Sequence, residues 1–133
     1  MVMPAELERA RPGESLLIVE DDARIASFLL KGFQALGFVV EWIESGHAAI
    51  DAVDRSSFSA VVLDLGLPDL DGLDVMAHWA EKGHRVAVVV LTARSDPRDR
   101  ERALSLGAVA YLTKPAPFAD LVAAVHSAIA PRR

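Results

Sequence analysis

The sequence predicts an α/β fold, a doubly wound sandwich in which a parallel five-stranded sheet lies between two layers of helices. Five short apolar runs recur along the 133 residues, and a segment with helical spacing follows each run. The runs are apolar with little alternation, as in strands that are covered on both faces. Five strand–helix units with right-handed crossovers favour the strand order 2-1-3-4-5.

The first strand–helix unit is marked at both of its helix ends. Leu16–Val19 is a continuous apolar run and forms the first predicted strand. Asp22 is placed to cap the following helix, and Gly37 is placed to end it. The apolar face of that helix comprises Ile25, Phe28, Leu29, Phe33 and Leu36.

The second and third units are shorter. Glu41 interrupts the second strand, 38–43, so we place that strand near an edge of the sheet, and a helix follows over 46–54. The third strand is 60–63, and the proline and Asp-Gly pair in 65–72 predict a loop. The helix after that loop has an apolar face of Leu73, Met76 and Trp79.

The fourth and fifth units differ in how well their helices can pack. The fourth strand, 86–91, is the most apolar, whereas the helix over 97–106 is rich in charge and should pack weakly and shift easily. It leaves three residues to face a core, namely Ala103, Leu104 and Leu106. The last strand is 109–112. The final helix has an apolar stripe of Phe118, Leu121, Val122, Val125 and Ile129.

Length, composition and charge indicate one domain and argue against membrane insertion and direct nucleic-acid binding. We expect a flexible leader over 1–14, one domain over 15–130, and the start of a linker or tail at 131–133. Cysteine is absent and no apolar run approaches the length of a membrane span, so we expect a cytoplasmic domain without membrane contact. A net charge of −5 argues against direct nucleic-acid binding by this chain.

Reactive polar residues concentrate at the carboxyl ends of the predicted strands, which is where ligands bind in an open parallel sheet. Clustered carboxylates repel one another unless a cation lies among them, so a divalent metal and phosphate are indicated. Mg²⁺ prefers such oxygen ligands, with the Gly66 carbonyl as a further candidate. Asp64 could also act as a nucleophile toward phosphorus. The strand-end residues are Glu20, Asp21, Asp64, Thr92, Tyr111 and Lys114.

Each of these residues also has an ordinary structural explanation when it is taken singly. Acidic residues after a strand often cap helices, a threonine at a strand end often bonds to backbone, and a tyrosine is often part of a core. The constellation is more specific than its members, because all of them fall on one rim of the predicted sheet.

The chain resembles the response-regulator receiver family of two-component signalling, which has a flavodoxin-like fold. Four strings carry the resemblance: LLIVEDD at 16–22, VVLDLGLPDLDG at 61–72, LTAR at 91–94 and YLTKP at 111–115. They are most similar to the OmpR/PhoB type, whose members usually carry a winged-helix DNA-binding domain after a linker. The resemblance covers residues 15–130.

The resemblance implies a role for each strand-end residue. Asp64 would accept a phosphoryl group from a sensor histidine kinase, with Mg²⁺ held by Glu20, Asp21 and Asp64. Thr92 and Lys114 would contact the phosphoryl group, and Thr92 and Tyr111 would switch an output face. The function implied is phosphorylation-controlled transcription regulation by a chain that is a phosphoacceptor, not an enzyme.

Departures from the family pattern bear on assembly. Val109, Ala110 and Ala124 stand where the OmpR/PhoB type often has charged residues that pair across a dimer, so a homodimer through the 97–130 face would lack those ion pairs. Two other functions stay open. One is a stand-alone adaptor, and the other is a small phosphohydrolase, although Gly66 stands where dehalogenase-like phosphatases have a general acid.

Overall fold

The computed structural model describes residues 7–133, in which strands and helices alternate from β1 to α5. The strands are β1 (Ser15–Val19), β2 (Val39–Ile43), β3 (Ala60–Leu63), β4 (Val88–Thr92) and β5 (Ala110–Thr113). The helices are α1 (Ala23–Ala35), α2 (Gly46–Arg55), α3 (Gly72–Glu81), α4 (Pro97–Ser105) and α5 (Phe118–Ile129). A 3₁₀ turn over Ala130–Arg132 follows α5. Each helix in the described range falls short of the length and apolar content that a membrane span requires.

The five strands form one parallel sheet in the order β2-β1-β3-β4-β5, which confirms the predicted order. The strand that contains Glu41 is at an edge, also as predicted. In the register of the sheet, Leu17 of β1 lies between Glu41 of β2 and Val61 of β3. The carboxyl ends of β1 and β3 are therefore neighbours at the centre of the sheet.

Two hydrophobic cores lie on opposite faces of the sheet, because successive side chains of a strand point to opposite sides. Leu16 and Ile18 belong to the core that includes the buried residues of α1 and α5. Leu17 and Val19 belong to the core that includes those of α2 and α3. All four of these β1 side chains are at most 1% exposed, which accounts for their unbroken apolar run.

Two strands lie slightly later in the chain than predicted. β4 begins at Val88 and includes Thr92, whereas the prediction was 86–91. β5 begins at Ala110 and includes Thr113, which pairs with Thr92 in the ladder. Apolar runs report burial, but backbone pairing sets the ends of a strand, so a polar residue such as Thr92 can complete it.

The helix α4 packs weakly, as its charge predicted. Ala103 is the one α4 residue that is buried, and Leu106 lies against the same core just beyond the helix. The expectation that Leu104 faces the core is wrong, since that residue is 41% exposed. Successive helix residues are turned by about 100° from one another, so a helix that points Ala103 at the sheet turns Leu104 toward solvent.

Residues 7–14 lie against the ends of α1 and α5. The Ala10 amide donates to the Leu36 carbonyl at 2.8 Å. The Arg133 guanidinium donates to Glu14 at 2.7 Å and to Glu8 at 2.9 Å. Residues 1–6 of the predicted leader lie outside the described residues, and the domain boundary after residue 14 stays a prediction.

Candidate functional site

The ends of four strands bring the predicted residues to one rim of the sheet. Glu20 directly follows β1, Asp64 directly follows β3, Thr92 ends β4, and Lys114 directly follows β5. The Lys114 Nζ lies 2.6 Å from Glu20 Oε1 and 3.0 Å from Asp64 Oδ2. One ammonium group therefore bridges carboxylates that are 44 positions apart in the chain (64 − 20).

Three carboxylates surround a common point on this rim. Glu20, Asp21 and Asp64 each offer one oxygen, and these oxygens all lie within 4.8 Å of one another. Glu20 is 2% exposed and Asp64 is 7% exposed, whereas Asp21 is exposed. The site thus has two buried acids at its base and one acid open to solvent.

Backbone contacts hold Glu20 in place from both sides. Its Oε2 accepts from the Asp22 amide at 3.1 Å, and its carbonyl accepts from the Trp42 indole at 2.7 Å. Its own amide donates to the Ile43 carbonyl at 3.1 Å. The neighbouring edge strand β2 therefore fixes one wall of the acidic cluster.

The buried acids differ in the direction of their pKa shifts. Burial raises the pKa of Glu20 and is only partly opposed by the hydrogen bond from Lys114. Burial also acts to raise the pKa of Asp64, but hydrogen bonds from Lys114, Gly66 and Thr92 outweigh it and lower that pKa. Burial acts to lower the pKa of Lys114, yet its bonds to both acids raise it. Near neutral pH, Asp64 is therefore a carboxylate and Lys114 is an ammonium.

The loop after β3 is closed tightly beneath Asp64. The Gly66 amide donates to Asp64 Oδ1 at 3.1 Å, and Gly66 pairs with Asp71 in an isolated bridge. The Gly72 amide donates to the Leu65 carbonyl at 2.9 Å. A Cβ on Gly72 would lie 2.6 Å from the Leu65 Cα, so only glycine fits where α3 begins. The Gly66 amide thus helps to orient Asp64, while its carbonyl as a metal ligand stays a prediction.

The two predicted switch residues occupy different surroundings. Thr92 is 1% exposed and ends β4, the strand beside the one that Asp64 follows, and its hydroxyl contributes to lowering the pKa of Asp64. Tyr111 is 7% exposed, with its ring in the core beneath α4. Its hydroxyl donates to the Arg94 carbonyl at 2.7 Å. The tyrosine therefore lies in the inward position, apart from the acidic cluster. It is the second residue of β5, so the expectation that it lies at the end of a strand is wrong.

Arg94 is the residue of this region for which the sequence indicated no role. Its guanidinium donates to Asp71 at 2.7 Å and to both oxygens of Asp99, at 3.0 and 3.1 Å. These contacts, with the hydrogen bond to Asp99 as the largest cause, raise the pKa of Arg94. The LTAR string contained this arginine, but its carboxylate partners lie outside the string, at the cap of α3 and in the first turn of α4.

Comparisons with known proteins agree with the geometry. The model of the response regulator receiver domain matches residues 16–126. The transcriptional regulatory protein QseB of Escherichia coli O157:H7 is 38% identical over 112 residues, which cover 84% of this chain and 51% of QseB. QseB of Haemophilus influenzae is 40% identical over 114 residues, which cover 86% of this chain and 52% of that protein. The chain thus spans about half the length of these curated relatives.

One solved structure with a similar fold is also informative about the site. The receiver domain of the sensor histidine kinase PA1611 from Pseudomonas aeruginosa PAO1 has a TM-score of 0.79 and 32% sequence identity to this chain. The match covers 89% of this chain and 98% of that one, and that crystal structure has a magnesium ion coordinated in its active site cleft.

Proposed function

The chain belongs to the response regulator receiver family, and from this premise we propose that Asp64 accepts a phosphoryl group from a sensor histidine kinase. The contact that carries the proposal is the bridge from Lys114 to Asp64 and Glu20, at 3.0 and 2.6 Å. It places a nucleophilic carboxylate beside a cation and a second acid. Phosphoryl transfer depends mainly on such positioning and charge neutralisation.

The chain's own residues supply most of this chemistry. An oxygen of Asp64 attacks the phosphorus of a phosphohistidine, and a P–O bond forms as the P–N bond breaks, with its electron pair returning to the imidazole. The lowered pKa of Asp64 keeps this nucleophile ionised. Lys114 and Thr92 donate hydrogen bonds to the phosphoryl oxygens. Hydrolysis by water then releases inorganic phosphate and restores the carboxylate. Because the residues that position the phosphoryl group belong to this chain, both phosphorylation and dephosphorylation are self-catalysed.

The donor set fits Mg²⁺. The cluster is made of carboxylate oxygens, the hard ligands that this ion prefers, and it joins two buried acids to one that reaches solvent. Glu20, Asp21 and Asp64 would hold the ion together with the Gly66 carbonyl. When bound, Mg²⁺ neutralises charge on the phosphoryl oxygens and on the acids themselves.

An apolar cleft beside the site supports docking of the kinase. It has a volume of about 470 Å³ and opens between α1 and the beginning of α5, next to Lys114. Phe28, which is 47% exposed, and Ala116 contribute to its lining. A kinase segment in this cleft would bring its phosphohistidine to the rim that holds Asp64.

The output face consists of α4, β5 and α5, over 97–130. Weak packing of α4 supports a shift of this face when Thr92 and Tyr111 change position, which is a change of population between two packings. In the full-length cytoplasmic protein, the face would control a C-terminal DNA-binding domain and hence transcription. A homodimer through this face would rest on Leu104 and Val109, which are 41% and 45% exposed.

Intact-mass spectrometry after incubation with acetyl phosphate and Mg²⁺ tests the proposal. We expect the mass of one added phosphoryl group, and we expect Asp64→Asn to abolish it. Asp22→Asn is the matched control, because Asp22 lies beside the acidic pair but caps α1 through its Oδ1, a role that asparagine retains. An adduct that survives Asp64→Asn, or no adduct on the wild-type chain, refutes the assignment. Turnover of a small phosphate ester would instead favour a phosphohydrolase.

A further inference from the structure

We propose that Arg94 is the positioning residue through which phosphorylation of Asp64 is transmitted to α4 and Tyr111. The inference rests on the proposed function, and it adds a second connection from the site to the output face beside the contact through Thr92. It is drawn from four sets of contacts that converge on this one residue.

The side chain of Arg94 joins two elements that are distant in sequence. It binds Asp71, which is 23 positions earlier and caps α3, and it binds Asp99 in the first turn of α4. The pair with Asp99 is bidentate, which adds geometric specificity to the attraction between the charges. Arg94 therefore connects the beginning of α3 to the beginning of α4.

These ion pairs are partly shielded from water. The side chains of Arg94, Asp71 and Asp99 are 32%, 39% and 23% exposed, respectively. A nearby pair in the same segment, Arg98 with Asp96 at 2.9 Å, has an arginine that is 90% exposed. Shielding limits screening by salt, so the Arg94 contacts can hold one arrangement of the loop where the Arg98 pair cannot.

The backbone of Arg94 contacts both switch residues. Its amide donates to the Thr92 hydroxyl at 3.4 Å, and its carbonyl accepts from the Tyr111 hydroxyl at 2.7 Å. The conformation of residue 94 thus sets the distance between the hydroxyl at the site and the ring beneath α4. A movement of either side chain therefore breaks or alters a hydrogen bond to the backbone of this residue.

The same residue is linked to Asp64 through the loop after β3. The Gly66 amide donates to Asp64, and the Gly66 backbone pairs with that of Asp71, whose Oδ2 accepts a hydrogen bond from Arg94. A phosphoryl group on Asp64 changes the partners of that carboxylate, and the change reaches Asp71 through one short loop. Because Arg94 binds both Asp71 and Asp99, a displacement of Asp71 also affects the contact with α4. These residues form a contiguous network whose coupling energy can be measured.

The single tyrosine of the chain makes this inference testable. In a chain labelled with fluorotyrosine, the ¹⁹F resonance reports on Tyr111 alone, and hydrogen exchange of residues 97–105 reports on α4. The probe is beryllofluoride with Mg²⁺, which mimics an acyl phosphate on Asp64. Variants for comparison are Arg94→Ala, Arg94→Lys and the matched control Arg98→Ala, which also removes one exposed arginine–aspartate pair.

We expect beryllofluoride to change both signals in the wild-type chain and in Arg98→Ala. In Arg94→Ala the probe should still bind, but both changes should shrink by about fivefold or more, the size of a typical coupling. Arg94→Lys should restore the response only in part, since lysine lacks the planar fork. Asp99→Asn keeps Arg94 and removes the charge of its bidentate partner, so the same loss of response is expected. This second variant tests the inference even if Arg94→Ala does not fold.

Two outcomes overturn the inference, and they are distinguishable. Full wild-type responses in both Arg94→Ala and Asp99→Asn, with the probe bound, refute the role of Arg94 and leave the phosphoacceptor assignment intact. Failure of the wild-type chain to bind beryllofluoride at Asp64 refutes the proposed function and removes the basis of the inference with it.

Discussion

Substituting Gly72 by alanine should displace the loop that carries Asp64. The added Cβ would lie 2.6 Å from the Leu65 Cα, 2.8 Å from the Asp64 carbonyl oxygen and 2.9 Å from Leu65 Cδ2. Carbon atoms in contact are normally about 3.5–4.0 Å apart, so the loop has to move by roughly 1 Å. Two of the three obstructing atoms are backbone, which cannot swing aside as a flexible side chain would.

The energetic cost follows from two opposing effects. Overpacking at such a position costs about 1–3 kcal/mol. Alanine is favoured over glycine inside a helix by at most about 1 kcal/mol, which offsets part of that cost because Gly72 begins α3. Because two of the obstructing atoms are backbone, the cost of overpacking should lie at about 2–3 kcal/mol, in the upper part of its range. The net loss of about 1–2 kcal/mol corresponds to a fall in Tm of roughly 3–10 °C for a domain of this size.

Gly66→Ala is the matched control, since it makes the same change in the same loop. Its Cβ would meet only the Asp64 Oδ1, at the ordinary contact distance of 3.9 Å. Neither Gly66 nor Gly72 has a positive φ, so alanine requires no change of backbone region at either position. The difference between the two variants therefore comprises the clash at Gly72 and the smaller, opposing gain in helix propensity at that position.

Thermal unfolding by circular dichroism and the rate of phosphorylation by acetyl phosphate measure the two consequences. We expect Gly72→Ala to lower both Tm and rate, the rate by about tenfold or more because small misplacements of a reacting group are costly. Gly66→Ala should stay close to wild type in Tm. If Gly72→Ala unfolds within about 1 °C of wild type, well below the expected shift, and is phosphorylated at the wild-type rate, the steric argument is wrong.

Three further predictions concern charge and switching. Without Mg²⁺, Lys114→Met should lower the free energy of unfolding by about 2–3 kcal/mol, because it removes the cation bound by Asp64. Mg²⁺ should then raise the Tm of the variant more than that of wild type in a thermal shift assay, and an equal rise would contradict this. Arg133 donates to Glu14 and lowers the pKa of that acid from 4.5 to about 2. Wild type should therefore be more stable than Glu14→Gln above pH 4.5, and this difference in unfolding free energy should vanish as the pH falls toward 2. A difference that stays constant with pH in denaturant titrations would be inconsistent with the pair. Tyr111→Ala should cost about 3–5 kcal/mol and abolish the exchange response of α4, while acetyl phosphate still labels Asp64; a matching loss of labelling argues against a separate switch role.

The architecture was predictable because its signals are local. Strands buried on both faces appear as unbroken apolar runs, and Asp22, which follows the first run closely, caps α1 as predicted. The polar residues that directly follow or complete a strand could be assigned to one rim once the strands were taken as parallel. Boundaries such as the start of β4 were missed by two residues, since backbone pairing rather than hydrophobicity decides them.

The parts that the sequence did not indicate are contacts between segments far apart in the chain. Arg94 reaches a carboxylate 23 positions away, and Arg133 reaches Glu8, which is 125 positions away. Many acidic residues were available to each arginine, and no spacing rule distinguishes among them. The orientation of Leu104 was missed for a related reason, because the rotation of α4 depends on how it rests on the sheet.

Sequence alone therefore determined that Glu20, Asp64, Thr92 and Lys114 lie at or just beyond the ends of strands, and with that the candidate phosphoacceptor and its acidic neighbours. Hydrophobic runs and turn residues act over a few positions, so they can be read in order along the chain. Only the tertiary structure decided that one lysine bridges Glu20 and Asp64, that Tyr111 lies inward, and that Arg94 joins α3 to α4. Those arrangements depend on side-chain distances of about 3 Å, which arise when every element packs at once.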